Sequence, residues 1–160
     1  MADANTAIDW MLKHEGGLVD NPNDKGGLTN YGISQRAYPS VDVRNLTRDQ
    51  AVKIYLSDYW EEPFNRISDQ TIANKMLDMK VNFGSQQAVS LIQRALRQFG
   101  WAVAIDGKFG PQTLDFLNRS NPEDLIVELR TQSVLYYVGI VESKPNQAVF
   151  LKGWIRRACA

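Results

Sequence analysis

Apolar residues recur at helical spacing over most of this chain. In the first such stretch Ile8, Met11, Leu12 and Glu15 stand at i, i+3, i+4 and i+7, so three apolar side chains and then a carboxylate share one face. Gly16-Gly17 predicts the end of that helix. From Leu18 to Pro39 the periodicity gives way to Asp, Asn, Gly, Pro and Thr, which predicts a long loop with at most one small β-hairpin near residues 29–33. Ordered loops of that length are usually functional. Thr47 and Gln50 form a capping box for a second helix running to about Tyr59, with Ala51, Ile54 and Tyr55 inward. A third helix follows Ser68 and carries Ile72, Met76 and Met79. Ser85 caps a fourth, whose Ala88, Leu91, Ile92, Ala95, Leu96 and Phe99 repeat until Gly100. Gly110-Pro111 and Asn121-Pro122 suit two further starts, since proline loses no hydrogen bond at the first helical position. The last helices carry Leu125, Leu129 and Tyr136, then Phe150 and Trp154. About seven helices and at most a hairpin make the chain mainly α. The turn near Gly84 divides it into lobes 1–84 and 85–160, expected to pack as one compact unit.

Composition narrows the classes of function. With 160 residues and 44% hydrophobic content the chain can bury one sizeable core. Eighteen basic against eighteen acidic residues give no net charge, so the electrostatic footprint of a nucleic-acid or membrane-surface binder is missing. One cysteine, Cys159, permits no internal disulfide, and one histidine, His14, leaves no zinc set and only one possible triad base. No Gly-x-Ser-x-Gly elbow is present, and the glycines at 16, 17, 26 and 27 fit no phosphate loop. An EF-hand reading of the segment from Asp20 to Asp24 fails because Pro22 and Lys25 occupy its third and sixth positions. No cofactor and no metal are therefore expected. Residues 1–5 lack the basic and apolar parts of a signal peptide, and the run from Val134 to Val141 is far short of a ~20-residue span. The expectation is a monomer made in the cytoplasm, without stable membrane association.

Glu15 is the first candidate for chemistry. Continuing an apolar stripe desolvates it, and a helix C-terminus places the negative end of the dipole beside it; both favour the neutral carboxyl, as a general acid requires. On periodicity alone, a partly exposed glutamate before an ordinary glycine cap fits as well. The loop that follows brings Asp20, Asp24, Thr29, Asn30 and Tyr31 within reach. Glycosidic cleavage commonly uses two carboxylates, about 5 Å apart for retention and roughly 6.5 to 9.5 Å apart for inversion. Asp20 and Asp24 are candidates for the second, although Asp-Asn-Pro-Asn-Asp is also an ordinary turn sequence.

The series Glu15-Gly16-Gly17, Asn21-Pro22, Asp24, Gly26-Gly27 and Thr29-Asn30-Tyr31-Gly32-Ile33, continued by Tyr59-Trp60, Asp78, Asn82 and Gly84, resembles the signature of glycoside hydrolase family 108. The broader phage-lysozyme pattern of glutamate, aspartate and threonine is approached by Glu15, Asp24 and Thr29, with the second gap one residue short. Leu18 stands where members of the family often have an aromatic residue. Gln93, Ala95-Leu96, Asp106-Gly107, Phe109-Gly110-Pro111, Thr113 and Gly153-Trp154-Ile155-Arg156 resemble the peptidoglycan-binding lobe commonly paired with it.

The resemblance implies a lysozyme-like fold and an endolysin-type muramidase. Such an enzyme hydrolyses the β-1,4 bond between N-acetylmuramic acid and N-acetylglucosamine in peptidoglycan, with Glu15 as the essential acid and Asp24 and Thr29 beside it. Asp20, Asn30, Tyr31, Tyr59, Trp60, Asp78 and Asn82 are the substrate-binding candidates, the aromatics because sugar C–H faces stack on them. Tyr59 reads equally well as a core aromatic, and Asp78 and Asn82, at i and i+4, either bind sugar amides or support the glutamate. The glycan strands of the wall are the implied partner, reached from a host cytoplasm through a holin or a secretion system. A lytic transglycosylase and a non-catalytic peptidoglycan-binding protein are the alternative functions.

Overall fold

A computed structural model describes residues 1–14, 17–20 and 27–160. Among them are seven α-helices: α1 (Ala4–His14), α2 (Arg48–Asp58), α3 (Gln70–Phe83), α4 (Ser85–Gln98), α5 (Pro111–Arg119), α6 (Pro122–Ser143) and α7 (Ala148–Ala158). Strands β1 (Val19–Asp20), β2 (Leu28–Asn30) and β3 (Ile33–Ser34) form one small antiparallel sheet in sequence order. The chain is mainly α, and its β structure exceeds the expected hairpin by one strand: β1 adds to the β2–β3 pair, with Val19 opposite Thr29 and Asp20 opposite Leu28. None of the helices is long and apolar enough to cross a membrane.

The helix starts follow their signals closely. Thr47 accepts from the Gln50 N–H while the Gln50 side chain accepts from the Thr47 N–H at 2.9 Å, completing the capping box of α2. Asp69, one residue beyond Ser68, caps α3 by accepting from the Ile72 N–H at 3.0 Å. Ser85 is the first residue of α4 rather than its cap, because Gly84 closes α3 and opens α4 at once with φ 79°. That angle lies in the left-handed region where only glycine is unstrained. A 3-10 turn at Glu62–Arg66, with Pro63 as its second residue, carries the chain from α2 towards α3.

Two groups of buried side chains meet on α3. Leu77 packs with Ala7, Ile8 and Met11 of α1, Ile33 of β3, and Ala51 and Tyr55 of α2. Ile72, Met76 and Met79 pack with Leu91, Ile92 and Leu96 of α4 and with Leu125 and Leu129 of α6. Every residue from Ile72 to Lys80 is buried, so α3 has no solvent face over that stretch and must supply partners for the charges it carries.

Gln93 of α4 fastens the loop that leads to α5. Its amide donates to Asp106 Oδ1 at 2.8 Å and to the Lys108 carbonyl at 3.1 Å, and its oxygen accepts from the Gly107 N–H at 2.9 Å. Hydrogen bonds from the Lys108 N–H and the Gln93 amide hold the Asp106 carboxyl below the usual carboxylate range. Gly107 has φ 69°, and a Cβ there would lie 2.6 Å from Gln86 Cγ and 2.9 Å from the Gln86 carbonyl oxygen. Gly107→Ala is expected to lower stability by about 1 to 3 kcal/mol, read as a fall in the denaturation midpoint. An unchanged midpoint would mean that the loop relaxes without loss.

Candidate active site

The β2–β3 hairpin turns on two residues, Tyr31 at φ 51° and Gly32 at φ 76°, with Asn30 opposite Ile33. Two successive positive φ angles make the tight turn whose twist matches its strands, and for tyrosine that conformation costs energy that other contacts must offset. They are visible. The phenol of buried Tyr55 donates to the Tyr31 carbonyl at 2.9 Å, and the same burial pushes the Tyr55 pKa up. The amide of buried Asn30 donates to the Val43 and Leu46 carbonyls at 3.2 and 3.4 Å. The hairpin is thereby bolted to α2 and to the chain that precedes it.

Each expected site residue can now be placed. Glu15 and Asp24 lie outside the described residues. Thr29 sits in the central strand, half-buried, between Val19 and Ser34. Asp20 is exposed and ion-paired with Arg44 at 2.5 Å. Since Asp20 pairs with Leu28 and Thr29 with Val19, strand alternation puts Asp20 and Thr29 on opposite faces of the sheet. The structure does not bring those two candidates together. Asn30 spends its amide donors on backbone carbonyls, so what it does in the fold is hold the hairpin. Tyr59 caps α2 with its ring 5.4 Å from that of Tyr55. Trp60 stands edge-on to Phe64 at 5.5 Å, donates its indole N–H to Asn65 at 2.7 Å, and touches both groups of core residues.

Asp78 and Asn82 do share a face of α3, joined by a hydrogen bond of 2.9 Å from the Asn82 amide to Asp78 Oδ1. They belong to a buried polar cluster at the junction of α3 with α7. Asp78 also accepts from Lys75 at 3.3 Å and from Arg157 Nε at 3.1 Å. The Lys75 ammonium donates in addition to the Arg157 and Ala158 carbonyls at 3.2 and 2.8 Å. Lys75 and Arg157 were missed in the sequence, though a lysine between Ile72 and Met76 on an apolar helix is a readable signal of a buried cation. Burial lowers the pKa of both.

Against known proteins, residues 8–84 match the family model described as Glycosyl hydrolase 108, and residues 87–159 match the one described as Predicted Peptidoglycan domain. The first segment ends at the glycine that joins α3 to α4, and the second begins in the first turn of α4. Among solved structures, the chain is similar to that titled "Structure of Brucella abortus SagA", with 26% identity over 97% of this chain and 88% of that one and a TM-score of 0.74. No curated protein matches it.

Proposed function

We propose that the chain, whose residues 8–84 match the glycosyl hydrolase 108 model and whose residues 87–159 match the predicted peptidoglycan domain, is a glycoside hydrolase of peptidoglycan and specifically an N-acetylmuramidase of the endolysin type. The observation that carries the reading is the place of Glu15 in the sequence. It follows α1 directly and continues the register of Ile8 and Met11, both fully buried, inside the hydrolase segment. Glu15 protonates the leaving glycosidic oxygen, and Asp24 activates water or stabilises the oxocarbenium-like transition state. Asp20 is the weaker candidate for that second task because its carboxylate is engaged by Arg44. The enzyme acts as a monomer, is made in a host cytoplasm without stable membrane association, and reaches the wall through a holin or a secretion system to lyse the cell.

Product analysis tests the reaction directly. Digestion of purified peptidoglycan should release fragments ending in a hydrated, reducible N-acetylmuramic acid, seen by mass spectrometry as one water gained for each bond cut. Fragments ending in 1,6-anhydro sugars would replace the hydrolase with a lytic transglycosylase, and no fragments at all would leave a wall-binding protein.

A further inference from the structure

We propose that the groove between α4 and α6 binds the acidic stem peptide of peptidoglycan, giving the chain a hold on the wall separate from the residues that cut the glycan; this rests on the reading of peptidoglycan as substrate. The groove encloses about 450 Å³ and lies wholly within the peptidoglycan-domain segment. Arg94, exposed on α4, is the one charged side chain among its lining residues. Gln87 and Gln132 bring side-chain amides to its two walls, and Leu91 and Ile140 give it apolar surface. Gln132 is set in place by the hydrogen bond that its amide donates to Glu128 at 2.8 Å, which leaves its carbonyl oxygen as the acceptor for a ligand N–H.

These groups match a peptide better than a sugar. A stem peptide alternates small alanine methyls with free carboxylates along an amide backbone, so it needs shallow apolar contact, amide partners and a cation. A sugar-binding groove presents an open aromatic face. Tyr136, the aromatic residue here, has its ring turned against Phe83 with centroids 4.8 Å apart and is half-buried. Arg94 supplies the charge complementarity for the carboxylates, in a chain whose overall charge is zero and would not attract them otherwise.

Gly139 offers a clean block. It lines the groove from near the C-terminal end of α6, and a Cβ built on it meets nothing within 4 Å, so a side chain there fills the groove without disturbing the helix. Binding of a free alanyl-glutamyl-diaminoacyl-alanine stem tetrapeptide would be measured by calorimetry for the wild type, Arg94→Glu and Gly139→Phe. Digestion would be measured on intact peptidoglycan and on strands stripped of peptide by an amidase. Each variant should weaken tetrapeptide binding about tenfold or more, a loss of about 1.4 kcal/mol, with an unchanged thermal midpoint. Cutting of intact wall should slow and cutting of stripped strands should not. Wild-type binding retained by both variants, no tetrapeptide binding by the wild type, or an equal loss on stripped strands would each overturn the proposal. Failure of the wild type to cut either substrate would instead remove the muramidase reading on which it stands.

Discussion

Glu15→Gln is expected to slow peptidoglycan cleavage by about 100-fold to 10⁴-fold, the usual contribution of a positioned general acid, while leaving the thermal midpoint and wall binding as they are. The amide keeps the size and hydrogen-bonding reach of the carboxyl but has no acidic proton to transfer. Ile8 and Met11 are fully buried on the inner face of α1, and Glu15 continues their spacing just past its last turn. That spacing in the sequence predicts a carboxyl with less water around it and the negative end of the helix dipole nearby, both of which would favour the protonated form that can donate. The sign of the pH dependence follows. Wild-type activity should fall as pH rises past the Glu15 pKa and the acid is lost, whereas the residual activity of the variant should lack that limb. Wall clearance by Glu15→Gln at near the wild-type rate would remove Glu15 from the chemistry, and a lowered thermal midpoint would reassign it to the fold.

What could be read from the sequence was local, and what could not was long in range. The capping box at Thr47 and Gln50, the apolar face of α4 and the proline starts of α5 and α6 depend on residues a few positions apart, and each stands where its spacing predicted. The turn of the hairpin was similarly legible in Tyr31-Gly32. Strand β1 was not, because two exposed residues carry no alternation and only the partner strand defines them. Register separates two of the candidates: Asp20 and Thr29 both read as within reach of Glu15, yet a pairing invisible in the sequence sends them to opposite faces of the sheet. Asn30 read as a polar loop residue available to a ligand, but the carbonyls that engage it come from residues 43 and 46. The same reason hid the partners of Asp78, since Arg157 lies 79 positions away.

That distant contact leads to the second large effect, a loss of stability of about 3 to 5 kcal/mol on Asp78→Ala. Asp78 is 5% exposed and Lys75 1% exposed, so removing the carboxylate strands an ammonium where water cannot replace the lost partner. Arg157 loses the other carboxylate oxygen, Oδ1, and with it a link between α7 and α3. The two backbone carbonyls of α7 that Lys75 also engages are its last-turn acceptors, so the cation satisfies a helix C-terminus from a neighbouring helix. Chemical unfolding of Asp78→Ala should show the loss, and the double change Lys75→Met with Asp78→Leu should recover part of it by leaving no buried ammonium to strand. Lys75 also gives the fold a pH dependence. Burial holds its pKa below the ordinary 10.5, so between the two values the unfolded chain binds more protons than the folded one. Stability contributed at this site therefore rises as pH climbs through that window, and Lys75→Met should remove the rise. A single Asp78→Ala variant as stable as the wild type would mean that the cluster finds water or another acceptor, and that α7 does not depend on the Asp78–Arg157 contact for its hold on α3.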